Sequence, residues 1–345
     1  MLESRNRIRQ QDLEELACED VFKSFDGKTV LVTGATGLIG SEIVLGLLAA
    51  SRLNGLKIKV VAFVRDKIKA ETVFAEVLNR ENLEIVVQDV NLPIEYEGEV
   101  DYIVHAAGMT SSKMMIEKPV ECAMTAVDGT RNVLEFARTK DVKSVCYLSS
   151  IEIYGQNTPE DVSEEDYGVL NPINLRNAYS SGKKLAENLC VAYSKEYGVK
   201  SVIARLTQTF GAGISENDNR VFAQFAKSAV SGEDVVLHTD GSSVKNYCYL
   251  TDAVSGILTL LIRGEGGPAY NIANYETEIS IKDLAQMIAT KYGLKLRFEQ
   301  DFENRGYADK IVIKLNPKKL EGLGWRAKVG LEEMFERLVE SLKWD

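Results

Sequence analysis

Short runs of β-branched and apolar residues recur between residues 28 and 270, with helix-length segments between several of them. The runs at 28–33 (KTVLVT), 57–64 (KIKVVAFV), 83–88 (LEIVVQ), 101–105 (DYIVH), 142–149 (VKSVCYLS) and 200–205 (KSVIAR) predict strands. Segments 41–50, 123–140 and 177–197 predict helices. Apolar runs without polar alternation belong to strands covered on both faces. The pattern therefore predicts an α/β fold built on a doubly wound parallel sheet. Beyond about residue 210 the pattern changes. Helices are predicted at 222–231, 281–292 and 331–342, with short strands at 234–238 and 294–299 and turns bearing Gly and Asn around them. This reads as a smaller C-terminal α/β lobe. Residues 1–26 form an amphipathic, helix-like extension ahead of the first strand, and the pattern does not disclose its role.

Composition narrows the function. The chain has 345 residues, 45% of them hydrophobic, enough for one large core or two smaller ones. Its 41 Lys and Arg against 51 Asp and Glu leave a formal charge of −10. A protein this acidic lacks the basic face that nucleic acid or an anionic membrane demands. The five cysteines are far apart, odd in number and form no C-x-x-C pair, so neither a disulfide framework nor a zinc site is expected. Two histidines cannot build a histidine-rich metal centre, and no metal is expected. The first 27 residues carry charges throughout, and no stretch approaches the ~18 apolar residues of a membrane span. A soluble protein of a reducing compartment, the cytoplasm, is the expectation.

The first strand runs directly into Thr33-Gly34-Ala35-Thr36-Gly37-Leu38-Ile39-Gly40 and then a helix. Strand, glycine turn and helix start aim backbone N–H groups and the positive helix end at a pyrophosphate. Gly34 suits a tight turn, Gly37 close approach by a ligand, and Gly40 close packing of helix on strand. This context turns an otherwise weak glycine triplet into a dinucleotide-binding signal of Rossmann type. A carboxylate closing the second strand would bond the adenosine ribose and favour NAD. Here Val64 is followed by Arg65, which suits a 2′-phosphate and favours NADP; stacking on adenine or a place in solvent is the plainer reading. Asp89, closing the third strand, can accept from an adenine amino group or simply cap the strand end.

Tyr179 and Lys183 in Y-S-S-G-K lie four apart, hence on one helix face. An ammonium near a phenol stabilises the phenolate, and the expectation is that Lys183 brings the Tyr179 pKa down towards working pH. Alone the spacing is a common accident. Upstream, however, S-S-I-E-I-Y-G (149–155) puts Ser150 and Glu152 at the carboxyl edge of the sheet, where ligands of such folds bind.

With these residues the chain resembles the extended short-chain dehydrogenase/reductases, the NAD(P)-dependent epimerase/dehydratase family acting on nucleotide sugars. The resemblance covers about residues 28–345. It rests on TGATGLIG (33–40), VHAAG (104–108), SSIEIYG (149–155), YSSGK (179–183), TFGAG (209–213), NYCYLTDA (246–253), YNIA (270–273) and LGW (323–325), in that order. It implies a dinucleotide-binding domain over 27–212, to which 248–273 returns, and a substrate lobe over 213–247 and 274–345. It implies that Gly34, Thr36, Gly37, Leu38, Ile39, Gly40, Arg65, Asp89, Val90, Ala106, Ala107 and Gly108 surround the cofactor, NADP or NAD. Tyr179 is then the acid–base group, Lys183 holds the nicotinamide ribose and Ser150 bonds the sugar O4. The nucleotide-diphosphate sugar is implied to meet Thr110, Ser150, Gln208, Arg220, Lys245 and Arg305.

The implied first step removes the O4 proton as hydride leaves C4, giving a 4-keto sugar. The fate of that ketone separates epimerisation, dehydration and decarboxylation. Glu152 stands where the family's dehydratases and UDP-glucuronate decarboxylases carry Glu. The acid that precedes it in dTDP-glucose dehydratases is Ile151 here, as in the decarboxylases, which lack that acid too. Residues 219–225 (NRVFAQF) approximate a decarboxylase segment, whereas the strand-end carboxylate of those enzymes is missing. Lys245 stands for an arginine, Gln208 for an asparagine and Ala126 for an asparagine. Glu152 reads equally well as a rim carboxylate without a catalytic part. The alternative function is an NADPH-dependent ketoreductase of a nucleotide sugar or another carbonyl substrate. A scaffold that lost its chemistry would show a damaged Tyr–Lys pair, and the pair is intact. Ala178, Leu185, Leu189 and Ala192 give the tyrosine helix an apolar stripe. With the helix near 112–139 the resemblance implies a homodimer through a four-helix interface.

Overall fold

The computed structural model describes residues 2–215, 217–299 and 310–344. At its centre is a seven-stranded, all-parallel sheet. From edge to edge its strands are Ala269–Ile272, Ser201–Leu206, Ser144–Ser150, Tyr102–His105, Thr29–Thr33, Lys59–Val64 and Leu83–Val87. The order reverses between Thr29–Thr33 and Tyr102–His105, which opens a crevice at their carboxyl ends, the usual ligand site of such sheets. Six of the seven strands lie where the apolar runs predict them. The seventh, Ala269–Ile272, is four residues long and carries Asn271, so it lacks the uniform apolar signature.

Helices cover both faces. On one side the glycine-loop helix Leu38–Asn54 and helix Leu250–Arg263 pack on the sheet. On the other, Pro119–Thr139 and the tyrosine helix Ala178–Tyr197 do so. Val30, Leu31 and Val32 are fully buried as a result, the arrangement that their unbroken apolar run requires. The glycine-loop helix starts three residues earlier than the pattern predicts, because Gly37 takes the N-cap position. Helices Ile281–Tyr292 and Leu331–Leu342 match their predicted limits.

The N-terminal extension is integral to the core. Helix Arg7–Ala17 and the 3₁₀ turn Asp20–Phe25 bury Leu13, Leu16, Phe22 and Phe25 against the glycine-loop helix and Leu250–Arg263. The buried polar contacts are specific. Arg9 reaches Ser41 Oγ at 2.8 Å and Glu42 at 2.9 Å. Asp12 accepts from the Tyr249 hydroxyl at 2.5 Å and from Arg337 at 2.6 Å. Burial pushes the Glu42 carboxyl up to about 7 and that of Asp12 up to about 6.

Past the main sheet the strands are short. Val235–Leu237 pairs with Leu296–Phe298, and Gln208–Phe210 with Tyr247–Tyr249. Ile279–Ser280, Val244–Lys245, Val312–Leu315 and Asp161–Val162 form a four-stranded sheet. A separate cluster of Phe210, Phe222, Phe225, Leu284, Phe335 and Leu338 fills this part. Asp252 ties it to the rest: its carboxylate accepts from the N–H groups of Lys328 and Val329, both at 3.0 Å. No described helix is long and apolar enough to cross a membrane.

Candidate active site

A cavity of about 420 Å³ runs along the carboxyl edge of the sheet from the glycine loop to Glu152 and Arg220. Two glycines shape its cofactor end. Gly34 has φ +62°, and a Cβ there would stand 2.7 Å from the backbone of Ala106 and Ala107. A Cβ on Gly40 would stand 2.3 Å from the Gly34 carbonyl oxygen. Loop, helix and neighbouring strand thus touch through backbone. No side chain caps the helix start at Gly37, so its first N–H groups are left for a ligand anion. Thr36, Leu38, Ile39, Ala106, Ala107 and Gly108 line the same wall. This cradle, crowded by any side chain and bearing uncapped donors, fits a dinucleotide pyrophosphate.

Further along, Arg65, Lys69, Gln88, Asp89 and Val90 line the cavity. Asp89 spends one oxygen on the Asn91 N–H at 3.0 Å. His105 is a structural tie. Its Nδ1 lies 2.7 Å from Thr33 Oγ1, and burial pushes its pKa down to about 3, so the ring stays neutral.

At the other end the structure brings Ser150, Glu152, Tyr179 and Lys183 to one wall, with Thr110, Gln208 and Arg220 also lining it. Ser150 closes its strand, and its hydroxyl accepts the Glu152 N–H at 3.2 Å as Ile151–Tyr154 winds into a 3₁₀ turn. That turn is pinned from below: Arg205 donates to the Tyr154 hydroxyl at 3.0 Å and to Glu187 of the tyrosine helix at 2.8 Å. Lys183, buried, donates to the Leu148 carbonyl at 2.6 Å and lies 4.6 Å from the centre of the Tyr147 ring. Burial pushes its amine down to about 8.

The expectation for Tyr179 needs correcting. Its phenol is pushed above the ordinary value, first by burial and then by the Glu152 charge; Ser150 and Arg176 pull the other way. Lys183 is spent on the Leu148 carbonyl and lies 5.8 Å from the Tyr179 ring centre, so it does not offset burial.

The Glu152 carboxylate is engaged by a residue that the sequence pattern does not single out. Arg176, in the turn Leu175–Asn177 before the tyrosine helix, grips both its oxygens at 2.9 and 3.0 Å. The only signal in the sequence is a cation three residues ahead of Tyr179. Lys69, one turn after Arg65, is equally unmarked.

Lys245 is not part of the cavity wall. It sits near Glu152 and Arg176; burial pushes its amine down, Glu152 opposes this and Arg176 adds to it. Arg220 lines the wall but pairs with Asp218, Nη2 to Oδ2 at 2.5 Å, and lies over Phe222. Arg305 falls outside the described residues.

Known proteins share this architecture. A family model described as the NAD dependent epimerase/dehydratase family matches residues 30–273. The chain belongs to that family. UDP-glucuronic acid decarboxylase 1 of Danio rerio is 30% identical over 322 residues, 91% of this chain and 72% of that protein. Its namesake in Xenopus tropicalis is 31% identical over 321 residues, again 91% and 72%. Among solved structures, a dTDP-glucose 4,6-dehydratase of Streptomyces venezuelae with NAD bound has a TM-score of 0.77 at 24% identity, over 91% of this chain and 97% of that one. A UDP-glucose 4-epimerase of Thermotoga maritima gives 0.75 at 23%, over 91% and 98%. These two share the fold. The expected fold class and the NAD(P)-dependent enzyme class both hold for this chain.

Proposed function

We propose that the protein oxidises C4 of a nucleotide-diphosphate sugar to a 4-keto intermediate, which then loses a C5 carboxylate as carbon dioxide. The observation that carries this reading is the Glu152–Arg176 pair beside Ile151. Dehydration needs an acid to protonate the departing hydroxyl. Ile151 is buried and apolar, and Glu152 has both oxygens held by a guanidinium. Decarboxylation needs no such acid. A cation on the wall can meet the sugar carboxylate, and Arg220 lines this end of the cavity, while Arg176 and Lys245 stand outside the wall against Glu152. Curated relatives named as UDP-glucuronic acid decarboxylases support the same choice.

A bound nicotinamide dinucleotide would supply hydride acceptance and return. Gly34, Gly37, Gly40 and the uncapped helix start would hold its pyrophosphate, and Lys183 would hold its ribose. Tyr179 takes the proton from O4 while Ser150 orients that oxygen. The resulting ketone lies β to the carboxylate, so the C5–C6 electron pair can move into a C4–C5 enolate when carbon dioxide leaves. Tyr179 and Ser150 then face the oxyanion on O4, and protonation at C5 restores the ketone.

For the cofactor we favour NADP. Arg65 and Lys69 place two cations at the ribose end of the cavity, where no carboxylate follows Val64. The same pair is what an NADPH-consuming ketoreductase would use, and turnover without added reductant separates the two. We read 27–212 with 248–273 as the dinucleotide-binding domain and the remaining C-terminal segments as the substrate lobe; the separate aromatic cluster of that lobe supports this division. A homodimer through helices Pro119–Thr139 and Ala178–Tyr197 goes with this reading, supported by exposed Val120, Met124, Leu185 and Val191. Free thiols suit a cytoplasmic location.

The test is incubation with a panel of nucleotide sugars, with the products identified by mass. Loss of carbon dioxide supports the proposal. Loss of water, gain of two hydrogens or an unchanged mass points to dehydration, reduction or epimerisation instead.

A further inference from the structure

We propose that Arg176 is a positioning residue for the reaction: its guanidinium clamps both oxygens of Glu152 and fixes that side chain beside Tyr179. The inference rests on the reading of Tyr179 as the acid–base group. Three observations lead to it. The contact is bidentate, 2.9 and 3.0 Å, and both side chains are largely withdrawn from solvent. The third guanidinium nitrogen, Nε, is buried without a partner among the described residues, so the arginine is held on its Glu152 side. Arg176 also sits in the turn that leads directly into the tyrosine helix, so clamp and acid–base group lie on one continuous stretch of backbone.

The pair has an electrostatic consequence for Tyr179. Several groups face the phenol: Glu152 from the 3₁₀ turn, Arg176 from the turn before the tyrosine helix, Cys122 from helix Pro119–Thr139, and Ser150 and Tyr147 from strand Ser144–Ser150. Lys183 faces it from its own helix. Glu152 opposes the phenolate and Arg176 favours it. Clamped to Glu152, Arg176 offsets part of that opposition. The site can then keep Glu152 next to its base at a smaller cost to that base.

The experiment uses the dinucleotide-loaded enzyme. The Tyr179 ionisation is measured by NMR of Cζ-labelled tyrosine, assigned with Tyr179→Phe, and the acid limb of kcat/KM is measured where a sugar is turned over. Arg176→Gln should raise both pKa values by up to about one pH unit, and Glu152→Gln should lower them by at least as much. The Glu152→Gln/Arg176→Gln double variant, which leaves no unpaired charge, should fall between the two single variants. Arg176→Lys, with one prong for two, should fall between wild type and Arg176→Gln. A merely structural arginine would reduce kcat without moving the titration. If both single variants moved it in the same direction, or neither moved it, the clamp would be refuted. If Arg176→Gln does not fold, Glu152→Gln and the double variant decide alone: a lowered value that rises back towards wild type in the double supports the clamp, and any other pattern overturns it. Burial raises the phenol; a Tyr179 titration that the bound dinucleotide fails to bring below that of the dinucleotide-free enzyme overturns its assignment as base and the clamp with it. The NMR titration needs no substrate. Shifts as expected with no sugar turned over would uphold the clamp and sink the substrate reading.

Discussion

Tyr179 sits at the one point where the cavity wall, a strand-end hydroxyl and a buried lysine meet. Replacing it with Phe removes one oxygen and keeps the packing. Turnover should fall by roughly 10²–10⁴, the usual worth of a positioned acid–base group, with little change in melting temperature. At the other end of the cavity Arg65 and Lys69 make a separate prediction. Arg65→Ala should weaken NADP by roughly tenfold to a hundredfold and leave NAD nearly untouched, because one charge-assisted contact is worth about 1.5–3 kcal/mol. Dinucleotide titrations measure this, and equal losses for both cofactors would remove Arg65 from the 2′-phosphate. The site is unevenly legible at this scale. The glycine loop, Ser150, Tyr179 and Lys183 are readable because their chemistry depends on short local spacing. Arg176 is not, because its partner Glu152 lies 24 positions away and only the fold joins them. Linear analogy places Lys245 at a diphosphate, whereas its strand carries it to the Glu152–Arg176 pair.

At the scale of elements, the N-terminal extension departs most from what its sequence discloses. Its amphipathic pattern announces a helix. Nothing local announces that Arg9 becomes the counter-charge of Glu42, a carboxylate buried in the first turns of the glycine-loop helix. Arg9→Ala leaves Glu42 buried without its cation and should cost about 3 kcal/mol, seen as a lower melting temperature. The same pair predicts a pH dependence. Glu42 is pushed up to about 7 in the folded chain from an ordinary 4.5, so the folded state holds its proton more tightly. Its contribution to stability is full below about 4.5 and is lost as pH rises through about 7. The difference in melting temperature, Glu42→Gln minus wild type, should therefore become more positive from pH 5 to pH 8. A difference that stays flat would mean that Glu42 titrates as an ordinary carboxylate. Short polar strands such as Ala269–Ile272 are hidden for a related reason. Asn271 is buried because Tyr154 and Val162 supply its hydrogen bonds from distant parts of the chain.

For the whole molecule, long apolar runs with helices between them are enough to anticipate the central sheet, since burial on both faces leaves an unbroken signature. The lobe beyond it is less readable, because two- to four-residue strands have no period to detect. The exposed apolar side chains of helices Pro119–Thr139 and Ala178–Tyr197 carry the prediction at this scale. Leu185→Glu should convert a dimer to a monomer with its fold intact, measured by light scattering and circular dichroism; a wild-type chain that is already monomeric contradicts the four-helix interface. The chain's overall charge of −10 argues against polyanionic partners, yet the proposed ligands are diphosphates. Backbone N–H groups at one helix start and a few cations on one wall suffice for them. The central claim is the loss of a carboxylate after oxidation at C4. It is tested most directly by incubating the purified enzyme with a nucleotide-diphosphate uronate in catalytic NADP or NAD, without added reductant, and weighing the product. The account predicts a nucleotide pentose lighter by one carbon dioxide. A uronate left at its original mass, together with loss of water from a neutral nucleotide hexose, would contradict it.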